Sequence, residues 1–225
     1  LRRSLNFIPQ LLNNLLKNIQ NNIFGFIIDG KQKSKMKPKI INWKDKKALK
    51  VATKIINSGG ILVYPTDTIY GFGVNAKDPI AIDKLNTIKN RTGPISIIAS
   101  NRETVSTWLN VKEEEKSHAA NHLDAQNTII YPVKKNIVHE KIMGPNNTLG
   151  IRIPNHPFCN LISNSCNTPI TTTSVNRTGE SPKNNVEEIL NSFPTEIDLI
   201  IEDGDLINVA SKIFIYDTSG LKNIR

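Results

Sequence analysis

Four groups of residues in this 225-residue chain have types and spacing suited to handling a charged ligand. The first is Thr66-Asp67-Thr68, followed by Tyr70 between Gly71 and Gly73, directly after the apolar run Ile61–Tyr64. A strand that opens into hydroxyls, beside glycines that admit a close backbone, is how open α/β sheets present a ligand edge; an ordinary strand-to-loop junction is the plainer reading. The second is Lys89 and Arg91. An ammonium and a guanidinium two residues apart can hold a polyphosphate between them, or can merely complement a helix dipole. The third is Arg152, a cation within the apolar stretch Leu149–Ile153. Burying it requires an anion, either a substrate carboxylate or an internal acid such as Asp67. The fourth is Thr171-Thr172-Thr173-Ser174 with Asn176, a hydrogen-bonding wall for phosphate or ribose, or a hydroxyl-rich edge strand.

The elements that must carry these groups follow from local pattern. Ile61–Tyr64 reads as a buried strand ended by Pro65, which cannot donate to a ladder. Before it, residues 43–57 read as a helix with one apolar face (Ala48, Val51, Ala52, Ile55, Ile56), stopped by Ser58-Gly59-Gly60. Asp78-Pro79 is a helix start with proline at the first position, and the helix runs towards Lys89. Strands are expected at 95–99, 128–133, 149–153, 169–174, 198–201 and 213–216. Helices are expected at 102–123, in two pieces around Asn110, from His156-Pro157, and at 183–192 with Asn184 or Asn185 as cap. No repeat or linker divides residues 41–225, so they are expected to form one domain.

Composition narrows the classes. Hydrophobic content of 38% and a mean hydropathy of -0.29 suit a soluble globular chain. The net charge of +9 is concentrated at the start: residues 1–40 carry +7 and residues 41–225 only +2. The domain's own balance does not argue for RNA binding, although a local basic cleft stays open. Cys159 and Cys166 make no disulfide framework, and His118 and His122, beside three glutamates, read as a solvated helix face; no metal site is expected. Residues 1–28 have apolar residues near helical spacing behind Arg2 and Arg3. No stretch reaches the length of a membrane span. Residues 1–35 are expected to lie outside the fold, as a targeting segment, an upstream extension before Met36 or an artificial addition.

Pro65-Thr66-Asp67-Thr68-Ile69-Tyr70-Gly71-Phe72-Gly73, Lys89-Asn90-Arg91, Gly150-Ile151-Arg152-Ile153-Pro154-Asn155-His156-Pro157 and Ser174-Val175-Asn176 resemble, in order and spacing, the YrdC-like family of threonylcarbamoyl-AMP synthases. The likeness runs from about Trp43 to the last residue. It implies an α/β fold with an open, twisted, mixed sheet curved around a large cavity, formed by residues 36–225. It implies a nucleotidyltransferase that joins L-threonine, bicarbonate and ATP into threonylcarbamoyl-AMP and pyrophosphate, for modification of the tRNA adenosine beside the anticodon. By match to the family, Thr68, Tyr70, Arg152, Thr172 and Ser211 would hold threonine. Lys89, Arg91, Thr148, Ser174, Asn176, Pro182 and Arg225 would hold ATP, with Lys89, Arg91, Ser174 and Asn176 nearest the chemistry. Mg²⁺ would arrive with ATP, with no tightly bound cofactor. A downstream tRNA-modifying transferase complex, weak tRNA or double-stranded RNA binding, a cytoplasmic location and no membrane contact are further expectations. Three departures stand out: only Thr92-Gly93 separate Arg91 from Pro94-Ile95, Ile98 stands where many members have histidine, and Asp124–Thr128 replaces a proline-rich turn. They keep a second class open, a non-catalytic nucleotide- or RNA-binding relative.

Overall fold

The computed structural model describes residues 37–217 and 220–224; the expectations for residues 1–35 and for Arg225 lie outside them. Residues Lys37–Arg225 form one compact unit. Ten strands and six α-helices are found among the described residues. The strands are β1 (Lys39–Asn42), β2 (Leu62–Tyr64), β3 (Gly71–Gly73), β4 (Ser96–Ile98), β5 (Asn127–Pro132), β6 (Thr148–Arg152), β7 (Ile170–Ser174), β8 (Leu199–Glu202), β9 (Lys212–Asp217) and β10 (Gly220–Asn223). The helices are α1 (Ala48–Asn57), α2 (Pro79–Lys89), α3 (Arg102–Trp108), α4 (Glu113–Asn121), α5 (Pro157–Ser165) and α6 (Val186–Ser192).

Helix starts are fixed by the residues the sequence offers for them. Asp78 accepts from the amides of Ile80 and Ala81, Asn101 from Thr104, and Asn185 from Glu188. These caps satisfy donors that a helix cannot pair internally. Helix α1 begins at Ala48, later than residue 43, because Trp43 is held at the end of β1 by its amide bond to the Glu202 carbonyl.

The strands form one mixed sheet in the order β1-β8-β2-β3-β7-β4-β6-β5-β9-β10. β8 runs parallel to both β1 and β2, β4 parallel to β6, and β5 parallel to β9, while the remaining neighbours are antiparallel. β1, β3 and β10 were not expected from the sequence. β3 is Gly-Phe-Gly, with a single side chain to reveal its pleat, and the other two are short polar edges.

Side chains alternate across a strand, so each strand contributes to two different environments. Val63, Phe72, Ile97, Ile129, Tyr131, Leu149, Ile151 and Ile200 point into a core closed by α2, α3, α4 and α6. On the other face Leu62, Tyr64, Ile98, Ile170, Leu199 and Ile201 pack under α1 and α5. Those two helices cover the β1-β8-β2 side of that face and one end of β4 and β7, at Ile98 and Ile170. Over β3, β7, β4, β6, β5 and β9 the same face carries Gly71, Thr172, Ser174, Ser96, Gly150, Arg152, Thr128 and Ser211, and it lines a cavity of 620 Å³.

The connection from Glu202 to Lys212 shows how far the sheet bends. β8 and β9 are second and ninth in the strand order. Seven steps across a flat sheet would cover about 34 Å, close to the full reach of about 33–36 Å for ten residue steps. This segment is neither straight nor idle: Leu206 donates its amide to the Asn184 carbonyl, and Ala210 and Ser211 line the cavity. The sheet therefore curls, and residues 203–211 cross its concave side.

Candidate active site

The cavity lies within the 300–1,000 Å³ typical of small-molecule sites, and its lining is unusual in being rich in hydroxyls and cations. Strand register gives it two ends. Ile98 pairs with both Ile170 and Arg152, whereas Ser174 lies four residues further along β7. At about 3.3 Å per residue, Arg152 and Ser174 stand about 13 Å apart along the strands.

At one end Arg152, 4% exposed, closes β6. Its Nη2 donates to Asp67 Oδ1 at 2.5 Å and to the Ala125 carbonyl at 3.3 Å, and Nε donates to the same carbonyl. Both sequence readings of Arg152 are thus compatible: the internal acid is Asp67, and Arg152 still lines the cavity. Asp67 Oδ2 is buried without a partner among the described residues, which makes Asp67 an imperfectly satisfied anion. Asp67 is positioned by its turn. Thr66 Oγ1 accepts from the amides of Thr68 and Ile69 and donates to the Ile69 carbonyl. Thr68 is fully buried against Thr66 Oγ1, at 3.0 Å, behind the cavity wall. Thr128 and Ser211 join their hydroxyls at 2.9 Å across β5 and the start of β9.

Tyr70 lines the cavity, and its hydroxyl is fully used. It accepts from the Asp203 amide and donates to the Gly204 carbonyl, both at 2.8 Å. Burial, partly offset by the amide bond, pushes its pKa up to about 12.

The other end is built on the close of α2 and the turn after β7. Asn90 takes a left-handed conformation (φ 52) that turns the chain out of the helix. Lys89 points inward: Nζ donates to the Ser174 carbonyl at 2.6 Å, to the Asn176 carbonyl at 2.9 Å and, more weakly, to Asn176 Oδ1 at 3.4 Å. Asn176 Oδ1 also accepts from Ser174 Oγ at 2.5 Å, while its amide nitrogen donates to the Arg177 and Glu180 carbonyls. Burial first, then the Arg91 charge, lowers the Lys89 pKa to about 8. Lys89 therefore sits behind the wall and shapes it, whereas Arg91, Ser174, Asn176 and Pro182 line the cavity directly. Arg91 Nη2 is held by the Pro94 carbonyl at 2.6 Å across the short Thr92-Gly93 link. Thr148 lines the cavity at this end, its hydroxyl donating to the Pro145 carbonyl.

Of the residues expected from sequence, the cavity thus gathers Tyr70, Arg91, Thr148, Arg152, Thr172, Ser174, Asn176, Pro182 and Ser211; Thr68 and Lys89 stand just behind them. Thr66, of the first group singled out above, also lines it, as do Ser96 and Thr128, which were not anticipated. The signal for two of them was present: Ser96 and Thr128 are polar residues alternating with buried Ile97 and Ile129. His118 of α4 and His122 just after it meet edge to face, and no group of three metal-ligating side chains occurs among the described residues.

Comparison with known proteins was consistent with this layout. Residues 54–225 match the Sua5, YciO and YrdC family profile, described as "Telomere recombination". A threonylcarbamoyl-AMP synthase of Hydrogenovibrio crunogenus is 31% identical over 183 residues, spanning 79% of this chain and 96% of that protein. The P. abyssi Sua5 structure complexed with L-threonine superposes with a TM-score of 0.74 at 24% identity, over 83% of this chain and 56% of that one. E. coli YciO superposes with a TM-score of 0.72 at 21% identity, over 83% and 92%. The two structures establish the shared fold, and this chain spans little more than half the length of Sua5.

Proposed function

The chain belongs to the Sua5, YciO and YrdC family, and on that footing we propose that it is an L-threonylcarbamoyladenylate synthase. The observation that carries this reading is the cavity itself. One end presents the buried Arg152 guanidinium, and the other presents Arg91 with the Lys89-braced Ser174 and Asn176. These suit an amino-acid carboxylate and a triphosphate respectively.

The reaction is a nucleotidyl transfer. The threonine amine bonds to the bicarbonate carbon with loss of water, and a carbamate oxygen then attacks the α-phosphorus of ATP, releasing pyrophosphate. Charge moves, but no protein group need form a bond, so positioning and electrostatic stabilisation carry the rate. Arg152 orients the threonine carboxylate, with the Thr172 and Ser211 hydroxyls beside it. Arg91 neutralises the phosphates, and the Ser174 hydroxyl and Asn176 complete that wall. Mg²⁺ fits as an ion carried by the nucleotide, since Glu180 is the single acidic residue among those lining the cavity. The product serves N6-threonylcarbamoylation of tRNA beside the anticodon by a downstream transferase complex in the cytoplasm. Among the described residues no helix is long and apolar enough to cross a membrane.

The test is mass spectrometry of a reaction containing the full chain, ATP, Mg²⁺, bicarbonate and L-threonine. Wild type should yield threonylcarbamoyl-AMP and pyrophosphate, and Arg91→Ala should yield neither. Nucleotide binding without any threonine-dependent product would replace the synthase reading with that of a non-catalytic binding module.

A further inference from the structure

Asp203 lies outside the cavity, with one third of its side chain exposed, yet three connections meet at it. Trp43 Nε1 donates to Oδ1 at 2.6 Å, across 160 positions of sequence. His156 Nε2 lies 3.2 Å from Oδ2. Because His156 Nδ1 accepts from the Phe158 amide at the start of α5, its ring proton sits on Nε2 and points at the carboxylate. The backbone amide of Asp203 donates to Tyr70, whose hydroxyl donates on to Gly204. Trp43 and His156 also pack edge to face, with ring centres 5.4 Å apart. The end of β1, the start of α5 and the entry to β3 are thereby tied to the first residue of the crossing segment 203–211.

That segment needs such ties because it has little apolar burial of its own. Ile207 is 80% exposed and Val209 87%, and only Leu206 packs against the core. What remains are polar anchors: the knot at Asp203, the Leu206 amide on Asn184, Asn208 Nδ2 on the Asp67 carbonyl at 3.2 Å, and the Ser211 hydroxyl on that of Thr128. The segment delivers Ala210 and Ser211 to the cavity and touches the backbone of the residue that pairs with Arg152.

We infer that Asp203 is a positioning residue for the amino-acid end of the cavity. Its carboxylate fixes where residues 203–211 cross, and thereby the placement of Ser211, Tyr70 and the Asp67–Arg152 pair. It contacts neither substrate. This inference rests on the synthase reading above.

The test is steady-state pyrophosphate release by the full chain, titrating L-threonine at saturating ATP and then ATP at saturating L-threonine. Loss of a charge-assisted anchor in Asp203→Ala should raise the KM for L-threonine about tenfold. Trp43→Phe, which removes one donor and keeps the ring, should raise it about threefold. The KM for ATP should stay within about twofold in both, because the Asp203 knot bonds Trp43, His156 and Tyr70 rather than Lys89, Ser174 or Asn176. Asp203→Asn retains the acceptor for Trp43 and should fall between wild type and Asp203→Ala. Equal rises in both KM values, or a lowered melting temperature with both KM values unchanged, would overturn the assignment and leave Asp203 a purely structural tie. Wild type without threonine-dependent turnover would instead defeat the synthase reading. Threonine-induced thermal stabilisation of the same variants then decides the positioning role: it should be present in wild type and weakened in Asp203→Ala, and its absence or equality would end that role too.

Discussion

Lys89 Nζ donates to the main-chain carbonyls of both Ser174 and Asn176, so the last turn of α2 and the turn after β7 move as one piece. The carbonyls of the same helix end are held in return: Arg177 donates to the carbonyl of Ile88, and the amide and hydroxyl of Thr178 donate to that of Lys89. Reciprocal bonding of this kind makes the charge state of one ammonium matter at the Ser174–Asn176 end of the cavity.

The pH dependence follows from the lowered pKa of about 8, caused by burial and then by Arg91. As pH rises through about 8 the native ammonium loses its charge and a donor, so ATP affinity should fall. Stability should respond with the opposite sign. The unfolded chain holds this proton up to about its ordinary value of 10.5, so between about 8 and 10.5 the native state binds fewer protons and this group's contribution rises with pH. Calorimetric ATP binding and denaturant midpoints from pH 7 to 10 would check both. Arg91→Met, which removes the second cause of the shift, should move the alkaline limb of residual binding upward.

Arg152→Ala should reduce kcat/KM for L-threonine by at least about a hundredfold, and Arg152→Lys nearly as much, since an ammonium cannot serve Asp67, Ala125 and a carboxylate in one plane. Leaving Asp67 buried without its cation should also cost about 3–5 kcal/mol of stability. Arg152→Met combined with Asp67→Asn should recover most of the stability and none of the activity. Separate denaturation and turnover assays distinguish the two effects.

Gly150 keeps the cavity floor flat. A Cβ there would lie 2.3 Å from Ser96 Oγ and 3.1 Å from Ser96 Cβ. Gly150→Ala should therefore lose about 1–3 kcal/mol, as overpacked sites do. Adding Ser96→Ala removes the nearer clash and should restore part of the loss, read as a recovery in melting temperature.

Cys159 should be inert in the native state. Its thiol donates to the Pro65 carbonyl at 3.2 Å, and burial pushes its pKa upward. In a Cys166→Ser background an aromatic disulfide reagent should react only after denaturant is added; fast labelling of the folded protein would contradict the packing under α5.

Much of the framework was legible because local chemistry decided it. Asp78-Pro79 and Asn185 announced helix starts, Pro65 ended β2, and an arginine in an apolar strand demanded the acid that Asp67 supplies. β3 was hidden for the same reason that it is useful: its two glycines leave no side chain to show the pleat. The inward turn of Lys89 was also hidden. Helix phase places a residue near the end of α2 but says nothing of which carbonyls it will meet 85 positions later. The Trp43–Asp203 bond has no local signature at all: Trp43 reads as the start of a helix and Asp203 as part of an acidic turn until β1 and β8 pair.

The strand order has a consequence for synthesis. β8 inserts between β1 and β2, β7 between β3 and β4, and β9 joins β5, so late segments complete pairs begun by early ones. A ribosome releasing this chain exposes β1 and β2 well before the strand that separates them exists. Their apolar faces must wait for residues 199–202, and the substrate cavity for residues 212–215. Such long sequence separations slow folding and prolong exposure of unpaired edges. The cavity wall is incomplete until residues 212–215 have been made, so termination before them yields an aggregation-prone fragment rather than a weaker enzyme.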